Sequence, residues 1–432
     1  LKEVFFQIEE RLSLANPDLW GLPKFFITRD YRPVNSVKVD KNLAATEHLC
    51  YNEFGMDLEE KLQAVASAAR VEDPEEVPGT ANIGACGSLP VYNAVVSGGK
   101  SIRLLKSLLT TVCENNCAYC GIRWAKDSRR VTFQPEEMAD LFLRLYESGA
   151  CEGLFLSSGI AGGGVRTQDR LIATADILRR RGYRGYLHLK IMPGAERDQV
   201  REAMRLASRV SINLEAPTAE CLAAIAPRKQ ADVLYNPLVW IDAIRKSDDP
   251  SGTWNGRWPS SSTQFVVGAA GESDRDLLRM AERLRREAGL ARVHYSTFDP
   301  AEGTPLENAP AENPVRSFRL YQADFLIRDY GFGADELLPG SDRLNLNVDP
   351  KMLYARRCLI EEPVDIDRAD RSALLRVPGI GPRTVQSILE TRRKGARIRS
   401  IEDLKRLGVP VNRAAEFILI NGKKPIQQMK LF

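Results

Sequence analysis

From about residue 101 to residue 330, short β-rich runs alternate with amphipathic stretches at helical spacing. That alternation restricts the fold more than any other feature of the chain. Strand-like runs fall at 104–112, 153–157, 185–191, 210–214, 264–267 and 292–298, with helical stretches at 135–148, 170–181, 195–207 and 274–288 between them. Repeated βα units build a parallel sheet covered by helices. Six units predict α/β architecture, a partial (βα)6 barrel, with functional groups on the loops at the carboxyl ends of its strands. A chain of 432 residues exceeds one ordinary domain, and 44% apolar residues suffice for a large core.

The loop after the first of these strands carries Cys113, Cys117 and Cys120, spaced CxxxCxxC. Three thiolates from one short loop satisfy three irons of a cubane iron–sulfur cluster and leave the fourth open to a small molecule. The chemistry that needs such a vacancy is reductive cleavage of S-adenosyl-L-methionine (SAM) to a carbon radical. A structural zinc site wants four ligands, often two separated CxxC pairs, and no second Cys or His pair stands at a matching distance. Only three histidines occur, His48, His188 and His294, too few for a histidine-rich metal site. The eight cysteines are too scattered for a disulfide scaffold, and their use points to a reducing cytoplasm. No apolar run approaches the roughly 20 residues of a membrane span, so no membrane partner is expected.

The cysteine triplet, with Tyr119 before its last member, resembles that of the radical SAM superfamily. The resemblance implies a [4Fe-4S] cluster on the three cysteines, SAM on the open iron, and Tyr119 near the adenine. From about Met56 to the C-terminus the chain is similar to radical SAM proteins assigned to DNA modification or repair and linked to a uracil-DNA-glycosylase-like protein. The implied activity is abstraction of hydrogen from a nucleotide by a 5'-deoxyadenosyl radical, with flavodoxin or ferredoxin as electron donor. RNA modification and a non-catalytic, DNA-bound iron–sulfur adaptor are the alternatives.

Further strand ends supply cofactor-binding candidates. Ser157, Ser158 and Gly159 stand where the superfamily often has Gly-Gly-Glu, without the Glu; they are equally readable as an ordinary turn. Asn213 and Glu215 share a face by alternation and suit ribose hydroxyls or the carboxylate end of SAM. Gly268 to Glu272 resembles the superfamily element that supports the adenine. His188 and Lys190 share a face at another strand end and are candidates for the substrate side. Cys86, among glycines, is either a small buried hydrophobe or a hydrogen-atom donor.

Near the C-terminus, residues 370–389 read as helix, Pro-Gly-Ile-Gly turn, helix. Gly379 and Gly381 permit the tight hairpin and Pro382 suits the first helical turn, so the turn's amides and a helix N-terminus face outward toward a phosphate. This resembles the helix-hairpin-helix motif, which implies contact with DNA backbone rather than bases; Arg383, Arg392, Arg393 and Lys394 add charge. A second copy runs from the cap Ser400 through the turn 407–410 to Asn412, which is expected to cap a helix over 413–420 that carries Arg413. Residues 365–432 hold 15 Lys and Arg against 7 Asp and Glu, net +8, on an otherwise mildly acidic chain, which suggests a polyanion partner. Gln428, Leu431 and Phe432 resemble the peptide by which bacterial repair proteins dock on the sliding clamp.

The expected organisation is therefore a poorly constrained extension over 1–55, with a natural start near Met56, and a helical and loop segment over 56–100. A radical SAM core over 101–335, a linker over 336–364, an all-α helix-hairpin-helix domain over 365–422 and a tail over 423–432 complete it.

Overall fold

The computed structural model describes Lys61, Leu62, Val65, residues 90–95 and residues 101–425. The expected extension, Cys86 and the Gln428, Leu431 and Phe432 peptide lie outside the described residues. These fall in two compact units that part between Phe318 and Arg319.

The first unit is a curled, open sheet of seven strands in the order β1 (Val91–Val95), β2 (Ser101–Leu108), β3 (Gly153–Ser157), β4 (Tyr186–Lys190), β5 (Arg209–Ser211), β6 (Ser260–Val267) and β7 (Arg292–Thr297). All pairs are parallel except β1 with β2, so six parallel strands form the expected half-barrel and β1 adds an antiparallel edge. Helices α1 (Pro135–Glu147), α2 (Gly163–Arg180), α3 (Arg197–Leu206), α4 (Ala219–Ile225), α5 (Ala231–Ser247) and α6 (Asp274–Ala288) connect the parallel strands. Every residue of β3 is buried, as expected of a strand covered on both faces.

Two sequence expectations shift. The strand expected over 104–112 is β2, which ends at Leu108; backbone bonds to the β3 segment continue through Thr110, whose hydroxyl binds the Val112 N–H at 3.0 Å and the Val131 carbonyl at 3.1 Å. Helices α4 and α5 fill the stretch between β5 and β6, where the sequence pattern located no particular helix; Pro237 lies inside α5.

Helix α7 (Pro314–Tyr330) begins with a dense ion cluster. The buried Arg316 guanidinium meets Glu272 at 3.1 Å, Asp274 at 2.7 Å and Glu312 at 2.6 Å, and donates to the Glu272 carbonyl at 2.8 Å.

The second unit continues with α8 (Ala334–Leu337), α9 (Pro350–Cys358), α10 (Arg371–Arg376), α11 (Pro382–Arg393), α12 (Ile401–Arg406) and α13 (Val411–Ala414). Helices α10 and α11 form the first hairpin, with Ile380 fully buried at its turn. Gly379 has φ +82°, and a Cβ there would lie 2.7 Å from Pro410 Cγ, so the turns of the two hairpins pack directly together. The helix expected over 413–420 is corrected: α13 stops at Ala414, a 3-10 turn follows, and Ile418–Leu419 (β9) pairs in parallel with Val364–Asp365 (β8). Pairing with a strand near the start of the module outcompetes continuation of the helix.

Arg316→Met is expected to strand two nearly dry carboxylates and to destabilise the first unit by about 3–5 kcal/mol, read as a lowered melting midpoint.

Candidate active site and nucleic-acid interface

The three cysteines occupy one cleft, which Tyr119, Ser157, Ser158, Gly159, Lys190, Asn213, Glu215 and Lys229 also line. It lies at the carboxyl ends of the parallel strands, where β2, β3, β4 and the continuation of β5 run out. The cluster loop is held there by its backbone. Gly159 N–H donates to the Thr110 carbonyl at 2.8 Å, and Glu114 N–H donates to the Ile160 carbonyl at 2.8 Å. A Cβ on Gly159 would lie 2.2 Å from the Val112 carbonyl oxygen, so the close approach requires glycine. Arg130 closes the loop from the other side. Its guanidinium donates to the carbonyls of Thr111 and Ile122 at 2.8 Å, Arg123 at 2.7 Å and Lys126 at 2.8 Å.

Asn213 and Glu215 both line the cleft, although β5 ends at Ser211. Glu215 adopts φ +65°, its N–H donating to the Gln264 carbonyl at 3.0 Å and its carbonyl accepting from Val266 N–H at 2.8 Å. Its Oε1 accepts from Lys229 Nζ at 2.6 Å. Burial opposes the charge on Lys229, but Cys117 and Glu215 outweigh it and raise its pKa. Burial, with Glu215 and Cys117 adding to it, holds the Tyr119 hydroxyl well above the usual phenol range. Lys190 donates to Asn213 Oδ1 and lies 5.5 Å from the Phe155 ring centroid.

Three candidates stand elsewhere. His188 is buried between strands, its Nε2 2.8 Å from Ser211 Oγ and its ring 4.6 Å from that of Phe155, outside the lining of the cleft. The Glu272 carboxylate accepts from Gly268 N–H at 2.7 Å and Ala270 N–H at 3.2 Å and pairs with Arg316, so it organises its own turn and does not line the cleft. Gly268, at φ +96° against Glu312, belongs to the same turn.

The described residues contain no group of three His, Cys, Asp or Glu arranged to hold a single metal ion. Burial raises the Cys117 thiol despite Lys229 and pushes Cys120 up to about 12, so metal charge is what would draw off their protons. Residues 107–284 match the model of the Radical SAM superfamily, and residues 360–409 that of the helix-hairpin-helix motif.

The chain carries a radical SAM domain.

No curated protein matches the chain. Solved structures similar to it include the FeFe-hydrogenase maturase HydG from Carboxydothermus hydrogenoformans, at 17% identity and TM-score 0.42 over 52% of this chain and 51% of that one. Methylornithine synthase (PylB) matches at 14% identity and TM-score 0.41, over 52% of this chain and 62% of that one. Coproporphyrinogen III oxidase (HemN) from Escherichia coli matches at 14% identity and TM-score 0.33, over 52% of each chain. The matched part spans about half the length of HydG.

The radical SAM domain takes a [4Fe-4S] cluster and SAM as cofactors, and the cleft fits them. Three thiols face it from one loop, while Ser158 Oγ and Glu215 Oε2 are buried in its wall without a hydrogen-bond partner among the described residues. Buried oxygens left open in this way suit a polar ligand. Sequence reading missed Lys229 and Arg130. Lys229 follows α4, which the sequence pattern did not locate, and Arg130 acts through backbone carbonyls that leave no trace in side-chain pattern.

In the helix-hairpin-helix unit, Arg383, Arg393 and Lys394 are exposed. Two expected phosphate contacts are used internally. Arg413 is buried and pairs with Asp349 at 2.7 Å, while Arg392 donates to the carbonyls of Ala369 and Ile366. An unexpected residue shapes the hairpin itself. Lys351, buried, donates to the Ile380 carbonyl at 2.6 Å, with its Nζ 4.5 Å from the Tyr330 ring centroid; burial, with Arg413 and Arg376 nearby, holds its pKa well below the usual lysine range. Because C=O and N–H point oppositely across a trans peptide, holding that oxygen inward turns the Gly381 N–H outward. Among the described residues no helix is long and apolar enough to cross a membrane.

Gly159→Ala is expected to displace the cluster loop and lower iron and sulfide bound per chain at least severalfold. Metal analysis and the visible absorbance of reconstituted protein check this; wild-type loading would show that the loop yields at that contact.

Proposed function

We propose that the chain is a radical SAM enzyme that acts on DNA, in modification or repair. The observation that carries this reading is the union of a radical SAM domain with a helix-hairpin-helix motif in one chain whose C-terminal 365–432 segment bears net charge +8 from 15 basic and 7 acidic residues.

In this reading Cys113, Cys117 and Cys120 hold the cluster. Glu215 Oε2, Ser158 Oγ and Asn213 accept or donate hydrogen bonds to the polar parts of SAM, with Ser157 and Gly159 offering backbone groups. Tyr119 packs beside the adenine. Lys229 holds Glu215 in its aimed position, and Lys190 presents a cation at the cleft wall. When bound, the cofactors supply reductive cleavage of a carbon–sulfur bond, a source of carbon-radical chemistry. Buried side chains around the cleft exclude water from that chemistry.

The hairpin amides at Gly379 and Gly381, with Arg383, Arg393 and Lys394, grip phosphates. Such contacts give affinity that falls with salt and little sequence preference. Reaching a base or sugar hydrogen requires a flipped nucleotide, a lesion or a single strand. Flavodoxin or ferredoxin donates the electron, and a uracil-DNA-glycosylase-like protein and the sliding clamp are the proposed protein partners.

Anaerobic reconstitution, reduction with SAM present, and quantification of 5'-deoxyadenosine test the reading. Duplex, single-stranded or damaged DNA is expected to stimulate the yield. Stimulation by RNA alone favours RNA modification, and no cleavage by an intact, reducible cluster favours the adaptor. In parallel, Lys351→Met is expected to weaken duplex binding roughly tenfold, the scale of about one hydrogen bond's worth of organisation. Binding isotherms over a salt series check it, with the melting curve confirming that the unit remains folded.

A further inference from the structure

The cluster loop carries a feature that the cofactors do not use. Trp124 is 62% exposed, more than any other large apolar side chain among the described residues. Trp254 and Trp258, by contrast, turn their indole N–H groups onto the carbonyls of Ala207 and Asp248 at 2.9 and 3.0 Å. Packing therefore explains those two rings and leaves Trp124 unexplained.

Its setting is specific. The Trp124 backbone N–H donates to the carbonyl of Asn115, which lines the cleft, at 2.8 Å. The Arg228 guanidinium stands 5.3 Å from the indole centroid and donates to the Glu114 carbonyl at 2.5 Å; its neighbour Lys229 lines the cleft. The Trp124 backbone is thus anchored to the cleft rim, and its ring is backed by a cation that is itself held on the cluster loop. Residues 121–130 hold Arg123, Lys126, Arg129 and Arg130 against Asp127 alone. Several of these cations donate to carbonyl or amide oxygens, which orient them without neutralising their charge.

One π-face amid cations, with little other apolar surface, matches a nucleotide better than a protein. A protein interface centres on a cluster of apolar anchors. A nucleic-acid strand asks for a ring on which a base can stack and positive charge for its phosphates. Val112, 37% exposed, is the other exposed large apolar residue of this loop.

We propose that Trp124, backed by Arg228, is a stacking platform for one nucleobase of a single-stranded or unpaired substrate segment at the mouth of the cleft. The proposal rests on the reading of the protein as acting on DNA and assigns that activity its contact next to the reacting nucleotide.

The test uses the full chain with its cluster reconstituted, titrated with oligothymidylate of about ten nucleotides, within the span that such surfaces cover. Wild-type indole fluorescence is expected to fall on binding. Trp124→Phe should keep the affinity within about twofold and lose most of that fall, while Trp124→Ala weakens binding roughly tenfold, as loss of one stacked base predicts. Cluster absorbance and duplex affinity should stay at wild-type values. Unchanged oligothymidylate affinity in Trp124→Ala, with duplex binding intact, would overturn the platform and leave the DNA reading standing. Absence of binding to any DNA by the wild type would remove both. A Trp124-dependent fluorescence change with flavodoxin and none with oligothymidylate would reassign the surface to an acidic redox protein and overturn the proposal.

Discussion

The site depends on one close backbone contact, where Gly159 at the end of β3 meets the chain leaving β2. Without a side chain, Gly159 lets the carbonyls of Thr110 and Val112 approach to distances that a Cβ would forbid. A loop bearing three thiols and no regular structure would otherwise sample many conformations, at a cost of about 1–2 kcal/mol for each residue ordered. Arg130 meets that cost with four hydrogen bonds to carbonyls spread from Thr111 to Lys126. Sheet and guanidinium together hold the loop that carries the cysteines.

Charge is then arranged on this frame. Glu215 sits at φ +65°, where a non-glycine residue costs about 1–3 kcal/mol. It persists because both of its backbone groups bond to β6, and the result is a carboxylate directed at the cleft beside Tyr119. Lys229 takes one of its oxygens and leaves the other open. A buried ion pair adds little to stability after desolvation. Its value here is direction, since one oxygen is anchored and the other remains available. In the second unit Lys351 also serves direction, its Nζ fixed on a carbonyl so that a peptide plane points one way.

The legible parts of the chain were those in which a local pattern carries the information. Alternating βα runs predicted six parallel strands, and β3, β4, β6 and β7 lie within a few residues of their expected bounds because each is a short apolar run between breakers. Glycine and proline marked the 377–381 hairpin because its positive φ at Gly379 demands glycine. Less legible were positions set by partners far away in sequence. Arg413 and Arg392 look like any basic surface residues, yet Asp349 and the carbonyls of Ile366 and Ala369 draw them inward. His188 shares its face with cleft-lining Lys190 but sits two residues earlier on β4, buried against Ser211 and Phe155 and short of the strand's carboxyl end.

Sequence by itself determined the cysteine triplet, the βα alternation and the glycine-bearing hairpin. Each is decided by spacing over a few residues, within which backbone geometry leaves little choice. Tertiary structure alone decided that Lys229 and Arg130 belong to the site, that Glu272 does not line it, and that Trp124 stands exposed at its rim. Those outcomes depend on which buried carbonyls and carboxylates each side chain meets across long stretches of chain. Hydrogen-bond satisfaction in a folded interior is a property of the whole packing and not of any local pattern.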